Sequence, residues 1–75
     1  MKRSLVTVID AVLEHIPESE TVLRSKLKSL QDSARYQAPE QQGRLWAKGA
    51  DILAEHVGVP SAPWQLAMRD AWMGR

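Results

Sequence analysis

An all-α fold, a small bundle of four helices, is predicted for this 75-residue chain by three observations. Apolar residues recur at intervals of three and four along most of its length, the spacing that places them on one side of a helix. Prolines at positions 17, 39, 60 and 63 cut that pattern into four stretches. The one β-branched run, LVTVI, does not alternate polar with apolar residues and has no second strand to pair with. Helices are therefore expected at about 4–16, 19–36, 39–57 and 61–73, within a single domain spanning 1–75.

In the first helix Leu5, Ile9, Val12, Leu13 and Ile16 share a face, Ser4 is placed to cap, and Pro17 stops the run. The second follows PESE, where Ser19 is a capping candidate and Glu20 suits the positive end of the helix dipole. Its buried stripe is Leu23, Leu27, Leu30 and Ala34. The opposite face, with Arg24, Lys26, Lys28 and Arg35, reads as solvated or as a modest basic patch. The third helix opens at Pro39 and Glu40 and closes at Gly58, expected as a left-handed cap. On it Arg44, Lys48, Asp51 and Glu55 form one narrow charged stripe, and nearly everything else is apolar or small. So wide an apolar arc predicts that helix 39–57 is the central element. Gly43, Ala47, Ala50 and Ala54 would let a neighbouring backbone approach closely. The fourth helix has Ser61 as a cap and Pro63 in its first turn, with Trp64, Met68, Ala71 and Trp72 on one side and Leu66 and Met73 projecting elsewhere.

An internal echo supports this layout. Asp10 to Pro17 (DAVLEHIP) aligns with Asp51 to Gly58 (DILAEHVG), so Asp, Glu and His coincide and both segments end at a helix stop. The repeated Glu-His pair suggests a metal, but Glu14 and His15, like Glu55 and His56, are adjacent and diverge by about 100° on a helix, where a bundle metal site needs ligands three apart. Motifs for zinc hydrolysis, a serine nucleophile or a phosphate loop are missing, and there is no cysteine. No catalytic residue, metal or cofactor is expected, and the chain is read as non-enzymatic.

Charge is even, with ten Lys and Arg against nine Asp and Glu, so no lopsided field favours a polyanion or a membrane surface. No apolar run approaches the ~20 residues of a membrane span. The MKRS start followed by Asp10 and Glu14 makes a poor signal peptide. The chain is expected to be cytoplasmic, mature and complete.

Two functions from different classes follow. Trp64, Met68, Trp72 and Met73 crowd the last helix, and Trp and Met are the anchors and adaptable fillers of protein interfaces. They point to a small protein-binding regulator, an inhibitor or adaptor, docking a Trp/Met-bearing face on another protein or on its own copy as a homodimer. The alternative rests on LAEHVGV (Leu53 to Val59), which resembles the first helix and turn of a helix-turn-helix DNA-binding motif over about residues 50–69. That resemblance implies that Ala54 packs on the following helix, Gly58 makes the turn and Val59 is buried. It also implies a DNA-binding transcriptional regulator using Gln65 and Arg69, with Arg24 and Lys28 in support. Pro60, Pro63 and Trp64 depart from the motif, and Asp70 adds a negative charge to the would-be reading helix.

Overall fold

The most deeply buried helix is the first one. In the computed structural model, which describes residues 3–74, helices run over Leu5–His15 (α1), Thr21–Ala34 (α2), Gly43–Val57 (α3) and Pro63–Met73 (α4), with no strand among the described residues. The first two residues of the MKRS start lie outside them. α1 packs against both α2 and α4, and α2 packs against α3, so the spatial order is α4, α1, α2, α3. The radius of gyration is 11.6 Å, close to the roughly 11 Å of a compact domain of this length. The predicted all-α bundle of four helices is the fold.

Leu5, Val8, Ile9, Val12 and Ile16 fill the centre from α1 and the residue after it, and Leu23, Leu27, Leu30 and Ala34 meet them from α2. α3 adds only Ile52 and Leu53 to this buried set, and α4 adds Met68. The helix expected at the centre thus lies at the side. Its apolar arc is wide but made largely of small residues, and Gly43, Ala47, Ala50 and Ala54 are exposed. A methyl group removes little apolar area from water, whereas the Leu, Ile and Val side chains of α1 remove several times more, so burial selects α1.

The expected start at residue 39 is also corrected. Pro39–Gln41 form a separate 3-10 turn, and α3 begins at Gly43. The break is at Gln42, whose backbone leaves the helical region and whose side chain turns into the core. There its amide nitrogen donates to the Ala34 (3.0 Å) and Gln37 (3.2 Å) carbonyls, and its Oε1 accepts from the Leu5 N–H at 3.0 Å. One buried amide thus ties the start of α1 to the end of α2, and supplies the cap expected from Ser4, whose hydroxyl makes no capping bond. Ser19 does not cap either: α2 starts at Thr21 with Glu20 at the boundary.

Candidate protein-docking groove

α3 and α4 meet through tryptophan rather than along their lengths. Trp72 of α4 sits edge-on to Trp46 of α3, ring centroids 4.9 Å apart and planes at 60°. The approach requires Gly49, since a Cβ there would overlap the Trp72 ring and come within 3.1 Å of Leu30 Cδ2. Arg3 lies over Trp46, 5.4 Å from the ring centroid, and donates to the Trp72 carbonyl at 2.7 Å. It closes the C-terminal end of α4 with a charge that suits the helix dipole.

Along the rest of their facing sides the two helices stand apart, because the Gly58–Ala62 connection carries α4 across to α1. An apolar groove of about 220 Å³ remains between them, with walls of Leu53, Ala54 and Val57 on α3 and Met68, Trp72 and Met73 on α4. Its polar lining is the Arg69 side chain, whose Nε is buried with no hydrogen-bond partner and lies 4.0 Å from the Asp70 carboxylate.

Three of the four residues expected on a docking face, Met68, Trp72 and Met73, line this groove. They differ in role: Met68 is 1% exposed and forms the floor, Trp72 is partly buried, and Met73, 53% exposed, stands at the rim. Trp64 is not among them and packs, partly buried, against the core cluster. The opposite wall of Leu53, Ala54 and Val57 was absent from the expected face. Its one sequence signal is the small-residue stripe of α3, which reads equally well as core.

The residues named for DNA are dispersed and mostly engaged. Arg24 of α2 donates to the Leu13 (3.0 Å) and Ile16 (2.9 Å) carbonyls, closing the C-terminal end of α1. Lys28 is exposed on the same face of α2, in a shallow cleft with Glu18 and Asp32. Gln65 Oε1 accepts from the backbone N–H groups of Ser61 and Ala62 at 3.0 and 3.1 Å, half of a capping box at the start of α4. Arg69 belongs to the groove. The turn also departs from the helix-turn-helix pattern. Ala54 is exposed and Val59 is 88% exposed where the resemblance implies burial of both, because α4 packs on α1 instead of folding back on α3. Gly58 does have the positive φ expected (65°), but with ψ at −124° it lies outside the left-handed helical region, in a conformation open only to glycine.

His15 and His56 are both exposed, and among the described residues no group of three His, Cys, Asp or Glu side chains could hold a metal ion. No helix is long and apolar enough to cross a membrane among the described residues. Fold and site together define a small four-helix domain with an open apolar groove between its last two helices. Compared with protein-family models, curated proteins and solved structures, the chain matches none.

Proposed function

We propose that this chain is a non-enzymatic, protein-binding regulator that docks an apolar helix of another protein in the α3–α4 groove. The observation that carries this reading is the groove itself, with Leu53, Val57, Met68, Trp72 and Met73 facing one another across a gap their own helices leave unfilled. Such a surface fits the groove mode of recognition, in which an amphipathic helix lays its apolar face against side chains that can adapt. Met73 is the adaptable element at the rim, and Trp72, held by Trp46, is the rigid one. Regulation follows from occupancy: a partner whose helix is held here is withheld from its other contacts.

The test is site-specific photo-crosslinking in the native host. A crosslinker at Met73 or at Ala54, on opposite walls, is expected to trap the same protein, and Val57→Glu is expected to abolish both products. A crosslinker at Lys28, on α2, serves as control. No product from either wall, or an equal product from Lys28, would remove the groove from the function.

A further inference from the structure

We infer that the outward face of α3, which borders the groove, pairs with α3 of a second copy in antiparallel orientation; this goes beyond the docking reading and stands or falls separately from it. Gly43, Ala47, Ala50, Ala54 and Val57 are spaced four, three, four and three, the seam of a two-helix coil. In α3 the first four are exposed and Val57 is half-buried. Ala54 and Val57 also belong to the groove wall, so a helix laid along this seam meets the Met73 rim as well.

The seam alone does not choose a partner; the charges beside it do. Arg44 and Lys48 come first and Asp51 and Glu55 second, all exposed, and among the described residues none of the four forms an ion pair. Within its own helix this order is unfavourable on two counts, offset in part by Lys48 and Asp51, which stand three residues apart with opposite charge. Like charges stand four residues apart, and the cations sit toward the positive end of the helix dipole with the carboxylates toward the negative end. Each effect costs an isolated helix a few tenths of a kcal/mol. An antiparallel second copy reverses both. It sets Arg44 and Lys48 of one chain against Asp51 and Glu55 of the other, twice by symmetry, and lays the positive end of each helix dipole beside the negative end of the other. A parallel copy would set this flank against the other flank of its neighbour, where Trp46 and Leu53 offer no charge to meet it. The small seam residues let the helices come close enough for those pairs to form, and a two-fold axis between Ala47 and Ala50 makes the contact self-complementary and closed.

The test is sedimentation equilibrium on the purified chain and on charge variants, each checked for helicity by circular dichroism. The wild type is expected at twice the 8.4 kDa chain mass, dissociating more readily as salt is raised. Arg44→Glu with Lys48→Glu gives a wholly acidic stripe, and Asp51→Lys with Glu55→Lys a wholly basic one. Each is expected to be monomeric and helical, and an equimolar mixture of the two to recover the dimer. The fourfold variant carrying all these changes has inverted order and is expected to dimerise alone. A wild type that stays monomeric at millimolar concentration, or a dimer indifferent to both charge pairs, overturns the proposal. A monomer that still gives matching crosslinks to a host protein from Met73 and Ala54 would refute self-pairing and leave the docking reading standing. A charge-dependent dimer without host crosslinks would do the reverse.

Discussion

Gln42 holds more of this fold in one side chain than any other polar residue described. It is 1% exposed and bonds the backbone at three places, Leu5, Ala34 and Gln37. Gln42→Ala would leave the buried Leu5 N–H unpaired, while the Ala34 carbonyl would keep the Gln37 N–H as a donor, and the expected loss is about 2 kcal/mol in a urea titration, within the range for one unsatisfied buried group. Gln42→Glu keeps the acceptor for Leu5 but turns a carboxylate oxygen toward the Ala34 and Gln37 carbonyls, so it should not rescue. Gly49 makes an opposite kind of test, since helix propensity alone says that alanine there would gain about 1 kcal/mol. The Trp72 ring occupies the space, and Gly49→Ala is expected to destabilise by roughly 1–2 kcal/mol through overpacking. A higher melting temperature for that variant would mean that Trp72 yields readily.

Helix ends separate the functional readings at the scale of elements. Gln65 is spent on the first turn of α4 and Arg24 on the last turn of α1. Gln65→Ala is therefore expected to lower stability by about 1 kcal/mol, the usual value of a lost cap, without altering partner crosslinking from Met73. A base-reading Gln65 would behave differently, with unchanged stability and weakened DNA binding. α3 departs furthest from the place its pattern predicts. Its charged stripe and apolar arc are where the periodicity puts them, yet the alanines face outward, because periodicity assigns a side to each residue without saying which sides neighbours cover.

For the whole molecule, the path of the chain after Gly58 decides the site. Had α4 folded back on α3, Val59 would be buried and the groove closed; α4 instead crosses to α1 and touches α3 chiefly through Trp72. Trp72→Ala consequently removes core packing and groove wall together. Its expected cost is about 3 kcal/mol, as for other large aromatic truncations, so a loss of binding in that variant would not by itself locate the interface. Met73→Asp is the cleaner probe, since Met73 is half exposed and its loss should leave the denaturation midpoint nearly unchanged while abolishing docking.

The sequence by itself determined the fold class, the four helices to within a few residues and most of the α1 and α2 core. These rest on local periodicity, proline punctuation and the large area that Leu, Ile and Val withdraw from water. It also placed Met68, Trp72 and Met73 together, because one short helix carries them. Only the tertiary structure decided that α1 is the buried centre, that Gln42 breaks the third helix, that Trp64 stands apart from the groove and that the alanines of α3 are exposed. Each of those depends on which helix lies against which, and contacts between residues distant in sequence leave no periodic trace in either partner.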